Sequence, residues 1–61
     1  MDNTLLLVDD EEGIRRVLGI ALADSGFDVL TAENGLEGLE TFRRVMPAIV
    51  LTDIKMPGLD G

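Results

Sequence analysis

The chain has no cysteine, histidine, tryptophan or tyrosine, and its aromatics are two phenylalanines. Without cysteine, neither a disulfide nor a thiolate metal site can stiffen the fold. Without histidine, there is no imidazole for general acid–base work, and the commonest transition-metal ligand is missing. Basic residues are scarce: 5 against 12 acidic ones, a formal net charge of -7. Phosphate binding needs a basic face, so direct contact of this segment with nucleic acid is not expected. The same balance disfavours an anionic membrane surface. No apolar run approaches the ~20 residues of a membrane span. Met1-Asp2-Asn3 lacks the basic start and apolar core of a signal peptide. A cytoplasmic location without a membrane partner is expected. The 61 residues allow one small domain, and a chain of this size buries only about 60% of its unfolded surface. What remains for chemistry is carboxylate oxygen, which suits hard cations such as Mg²⁺ or Ca²⁺.

Along the chain, Leu5 to Val8 is a continuous apolar run. Such a run fits a strand buried on both faces of a parallel sheet, although four residues are also compatible with a helix. Asp9-Asp10-Glu11-Glu12 ends it, and acidic residues favour the first turn of a helix. Ile14, Val17, Leu18, Ala21 and Leu22 then form one helical stripe, with Arg15, Arg16 and Asp24 off it. Gly26 is placed to take the left-handed position after that helix. Phe27 to Ala32 reads as a second strand, more polar at its start and suited to an edge. Asn34 is a good N-cap for a second helix reaching about Val45. Gly35, Gly38, Leu39, Phe42 and Met46 form its inner stripe, widened by Leu36, and Pro47 ends it. Gly38 would let that helix lie close to the sheet. Ala48 to Thr52 is a third strand, read as buried, that delivers Asp53 to the rim of the sheet.

The order βαβαβ indicates an α/β fold of parallel strands joined by right-handed crossovers. Strand orders 3-2-1 and 2-1-3 both satisfy it. The first and third strands are the apolar ones, which favours 2-1-3 with strand two at an edge. Strands one and three are then neighbours, about 4.8 Å apart. Their C-terminal ends mark a topological switch point, where open α/β sheets bind ligands. Asp9, Asp10 and Asp53 all lie there. Two like charges 4 Å apart repel by about 4 kcal/mol at an effective dielectric of 20. Three carboxylates in one crevice therefore call for a divalent cation such as Mg²⁺. A bound cation would draw in phosphate oxygens, and a carboxylate can serve as the nucleophile that forms an aspartyl phosphate. Taken singly, the acidic cluster is equally a helix start, Asp53 a turn cap, Lys55 a solvated side chain and Met56-Pro57-Gly58 a plain turn. The helix stripes are core, and Arg43-Arg44 is a solvated face.

Three stretches carry a resemblance: Leu-Leu-Val-Asp-Asp-Glu at 6–11, Ala-Glu-Asn-Gly-Leu-Glu-Gly-Leu at 32–39, and Val-Leu-Thr-Asp-Ile-Lys-Met-Pro-Gly-Leu-Asp-Gly at 50–61. In these the chain resembles the receiver domain of two-component response regulators, a flavodoxin-like fold. The resemblance implies that Asp53 accepts a phosphoryl group, that Asp10 binds Mg²⁺ directly, that Asp9 holds a metal-bound water, and that the backbone carbonyl of Lys55 is a further ligand. The donor would be a phosphohistidine on a sensor histidine kinase or phosphotransfer protein. The chain would be no enzyme beyond self-catalysed phosphoryl transfer. The family's domain has strand order 2-1-3-4-5, so residues 1–61 are expected to be its N-terminal half, ending where the third helix would begin. The family's later Ser/Thr and Lys are not among them, and Ala48 stands where an acidic residue is usual. Impaired phosphorylation is the expected consequence. So is an exposed third strand that pairs with a second copy to make a homodimer. A chemically silent half-domain serving as a dimerisation or interaction module is the alternative. A phosphohydrolase of the haloacid-dehalogenase type would need an acid two residues after its nucleophile, where this chain has Lys55.

Overall fold

A computed structural model describes residues 2–52. The expected ligands Asp53 and Lys55, and the turn at Met56-Pro57-Gly58, lie outside the described residues. The elements run β1 (Thr4–Val8), α1 (Glu12–Asp24), β2 (Asp28–Ala32), α2 (Gly35–Val45) and β3 (Ile49–Thr52). They form a three-stranded parallel sheet in the order β2-β1-β3. The fold is α/β, a partial flavodoxin-like arrangement with β1 in the middle, as the polarity of the strands implies.

The core is β1. Leu5, Leu6, Leu7 and Val8 are 1–3% exposed, joined by Ala32 of β2. Burying one such side chain is worth about 1.5–3 kcal/mol. The strand has neighbours on both edges and helices over both faces, so every position from Leu5 to Val8 is covered.

The second helix is fixed at both ends. The Asn34 side chain accepts from the Glu37 amide at 2.8 Å, satisfying one orphan donor of the first turn. At the other end Met46 takes the left-handed conformation, φ 54°, and its amide bonds the Phe42 carbonyl. Pro47, buried, follows and cannot continue the helix. Between the caps, Gly38 lies flat on the sheet. A Cβ there would stand 2.9 Å from Cγ2 of Val8 and 3.8 Å from Cβ of Ala32, so the close approach needs glycine. An apolar groove of about 350 Å³ runs beside this contact, lined by Leu6, Val8, Leu39, Phe42 and Val50 among others.

Three expectations are corrected. The face of α2 is not as expected: Leu36 is 70% exposed, Leu39, Phe42 and Met46 of the expected stripe are 48%, 38% and 63% exposed, and the buried positions are Gly38 and Thr41. The stripe on α1 is not core: no residue of that helix is buried, and Val17 is 66% exposed. The cause is placement. This helix leans on β2 and β1 with one side, and among the described residues nothing packs against its other flank. The strand β3, read as buried from its apolar run, is instead the exposed strand that the half-domain reading expects. Ile49, Val50 and Leu51 are 37–42% exposed because β1 covers one edge and no further strand follows among the described residues. The end of α1 is as expected: Gly26 has φ 103°, and the Phe27 amide returns to the Leu22 carbonyl at 3.2 Å.

Candidate functional site

The ends of β1 and β3 lie side by side. Val8 pairs with Thr52 in the parallel register, and in sequence the next residues are Asp9 and Asp53. Only the first of these is among the described residues.

Asp9 is 2% exposed, one of two buried polar residues together with Thr41 among those described. Its backbone continues the sheet, because its amide donates to the Ala32 carbonyl at 3.1 Å. Its Oδ1 accepts from the Glu11 amide at 3.0 Å, closing a short turn between β1 and α1. Its carbonyl accepts from Nη1 of Arg15 at 2.9 Å. The remaining oxygen, Oδ2, is buried with no hydrogen-bond partner. Buried polar atoms are nearly always satisfied, so an orphan of this kind calls for an explanation such as an ion. An unpaired buried carboxylate carries a desolvation cost that a cation offsets.

Asp10, Glu11 and Glu12 are exposed at the mouth of the same turn. The helix begins at Glu12, and Glu11 occupies the N-cap without a side-chain bond. Asp9 thus belongs to the strand end and Asp10 to the loop, a division the run of acidic residues does not disclose. Among the described residues, no three carboxylates are grouped to hold a metal ion. The described part of the chain contributes one buried carboxylate with a spare oxygen and one exposed carboxylate beside it. This donor set fits an oxygen-loving cation that keeps several waters, as Mg²⁺ does.

The sequence places Arg15 off the apolar stripe. Its reach back to Asp9 was missed. One signal was available: a cation in the opening turns of a helix opposes the macrodipole, which suggests that it serves another contact.

Residues 5–61 match the family model described as the response regulator receiver domain. The chain belongs to the response regulator receiver family. Its partial receiver fold, β2-β1-β3 with two helices, agrees with that membership. It is 49% identical over 57 residues to the probable transcriptional regulator ycf27 of Pyropia yezoensis, covering 93% of this chain and 24% of that protein. It is 46% identical over 59 residues to the regulatory protein AtoC of Escherichia coli K12, covering 97% of this chain and 13% of that protein. With the transcriptional regulatory protein CseB of Streptomyces coelicolor it shares 46% over 57 residues, 93% of this chain and 24% of that protein. The receiver chain therefore spans less than a quarter of the length of these relatives. Receiver domains are regulatory components of two-component signalling rather than conventional enzymes. Among the described residues, no helix is long and apolar enough to cross a membrane.

Proposed function

We propose that this chain carries the acceptor site of a phosphorelay: Asp53 takes a phosphoryl group from a phosphohistidine on a sensor histidine kinase or phosphotransfer protein. The observation that carries the reading is the buried, unpartnered Oδ2 of Asp9, at the end of the strand whose neighbour leads directly into Asp53. Asp10 would hold Mg²⁺ directly, Asp9 through a water, and Lys55 through its backbone carbonyl. When bound, Mg²⁺ neutralises charge on the phosphate oxygens and the acidic side chains together. The chain's own groups do the rest. A carboxylate oxygen of Asp53 forms the new P–O bond as the donor's P–N bond breaks, and the released imidazole takes a proton. Such transfer depends mostly on positioning and charge stabilisation, which Asp9 serves from its fixed place at the strand end and Asp10 from the exposed turn beside it. The chain is then a substrate of its kinase and no enzyme in its own right, and a cytoplasmic site of action follows from its partners.

Incubation of the protein with acetyl phosphate and Mg²⁺ tests this. A phosphoryl adduct at Asp53, absent in Asp53→Asn and absent with chelator, is expected. An adduct that persists in Asp53→Asn overturns the assignment.

A second reading rests on the exposure of Ile49, Val50 and Leu51. Residues 1–61, which match the N-terminal part of the receiver family's pattern, would then serve for interaction rather than as an acceptor. The edge of β3 would pair antiparallel with the same strand of a second copy, completing a six-stranded sheet and making a dimerisation or interaction module. Apolar strand edges recruit other strands. Light scattering of the 61-residue chain at high micromolar concentration should give twice the monomer mass, and a monodisperse monomer would refute the dimer.

A further inference from the structure

We infer that Arg15 is a positioning residue for the acidic site, holding Asp9 so that its Oδ2 is the open acceptor. The inference rests on the Mg²⁺-dependent reading above. Asp9 is tied at three points, each from a different place. The Ala32 carbonyl at the end of β2 takes its amide at 3.1 Å. The Glu11 amide in the turn binds its Oδ1 at 3.0 Å. Nη1 of Arg15, one turn into α1, binds its carbonyl at 2.9 Å. Those contacts use every polar group of the residue except Oδ2, which is buried without a partner.

Arg15 spans the whole turn. Its backbone amide donates to the Glu11 carbonyl at 2.9 Å while its side chain returns to the Asp9 carbonyl. The loop is thereby clamped at both ends by one residue. A charge-assisted bond from a guanidinium is stronger than its neutral counterpart, and the planar fork loses little freedom in making it. The contact is half-buried, so water competes poorly for it. The next residue supplies a natural contrast. Arg16 lies on the exposed face of the helix and, among the described residues, meets the Glu12 carboxylate at 3.5 Å. Two adjacent arginines thus have separate assignments, one to the site and one to solvent. Outer contacts that orient a metal-binding carboxylate typically change affinity by 10–100-fold when removed.

Mg²⁺ titration by calorimetry on the intact gene product, with Arg15→Ala, Arg15→Lys and Arg16→Ala, tests the inference. Arg15→Ala should weaken Mg²⁺ binding by about tenfold, Arg15→Lys should recover part of it, and Arg16→Ala should leave it unchanged. The rate of phosphorylation by acetyl phosphate should fall at limiting Mg²⁺ and return at saturating Mg²⁺ in Arg15→Ala, a split that general loss of structure would not give. Amide exchange at Glu11 supplies a readout without metal: it should quicken in Arg15→Ala and not in Arg16→Ala. Should Arg15→Ala fail to fold, the Arg15→Lys titration decides, and binding equal to the unsubstituted protein with unaltered Glu11 exchange overturns the role. If the unsubstituted protein binds no Mg²⁺, the metal reading itself falls and takes this inference with it. If it binds Mg²⁺ and Arg15→Ala binds equally well, only the inference falls.

Discussion

Leu5-Leu6-Leu7-Val8 and Ile49-Val50-Leu51-Thr52 are nearly the same kind of sequence, and their fates differ. The first is 1–3% exposed, while the apolar residues of the second are 37–42% exposed. Both are parallel strands of one sheet, hydrogen-bonded to each other in register. The difference is enclosure. The central strand has β2 on one edge, β3 on the other and a helix over each face, whereas β3, among the described residues, has β1 on one edge only. Apolar composition makes a segment willing to be buried; the number of neighbours decides whether it is.

The sharpest way to break this contrast is to shorten one side chain in each strand. Leu6→Ala should cost about 2–5 kcal/mol, the range for a buried leucine, and Val50→Ala about 0.5 kcal/mol or less, as at exposed positions. Urea unfolding of both variants reads the difference, and equal losses would mean that β3 is covered in solution.

The next effect sets the acidic ends of the two strands against each other. At Mg²⁺ ten times its Kd, the protein should gain about 1.4 kcal/mol, seen as a rise in Tm. Asp9→Asn should lose most of that gain while being at least as stable in chelator, because the buried charge is gone. An unchanged Mg²⁺ response in that variant would remove Asp9 from the site.

A smaller change probes how tightly α2 closes over β1. Gly38→Ala gains about 1 kcal/mol of helix propensity but drives a methyl to 2.9 Å from Val8. The valine is β-branched and buried, so it yields poorly, and overpacking costs about 1–3 kcal/mol. A net loss of roughly 1 kcal/mol is expected, smaller in a Val8→Ala background. A stabilised Gly38→Ala protein would show that the helix can lift off the sheet.

The smallest effect concerns the entry to β1. The hydroxyl and the amide of Thr4 both bond the Asp2 carboxylate and hold its pKa below the ordinary value. A lowered folded-state pKa gives stability that is present above the ordinary carboxylate range and lost as pH falls through the lowered value. Asp2→Asn should therefore be slightly less stable than the unsubstituted chain at neutral pH and indistinguishable from it in strong acid. A gap that widens toward low pH would contradict the sign.

Much of this was legible beforehand. The strand order followed from the apolar first and third strands against the more polar second, whose start suits an edge. Gly26 and Asn34 announced their positions because left-handed backbone and a capped helix start each favour few residue types. The glycine at 38 signalled a close approach before any coordinates did. Periodicity was less informative about cover. On α1 the less exposed positions are Arg15, Gly19 and Leu22, while Val17 of the stripe is 66% exposed; a stripe cannot say whether anything lies there to bury it. Leu36 lies outside the inner face, and Thr41 is buried, because α2 touches the sheet along the Gly38 side, a rotation that the helical period leaves open. The carboxylate Asp9 was read as part of an acidic cluster, while its separation from Asp10 depends on where the strand stops and the turn begins. The reach of Arg15 was invisible because a side chain six residues away can go anywhere that its rotamers allow.

The register of β1 also bears on how the molecule assembles. Leu5 faces Val29 on one side and Ile49 on the other. Closing the longer loop costs somewhat more entropy, and what it brings in is the less enclosed strand. Docking of β3 is thus the step with the least return, and should be the first to reverse in fluctuation. The corner beside Asp9 takes form only when that step is complete. Amide exchange faster at Leu51 than at Leu7 would be its signature, and occupancy of the corner by a cation would then act as a latch on the whole sheet.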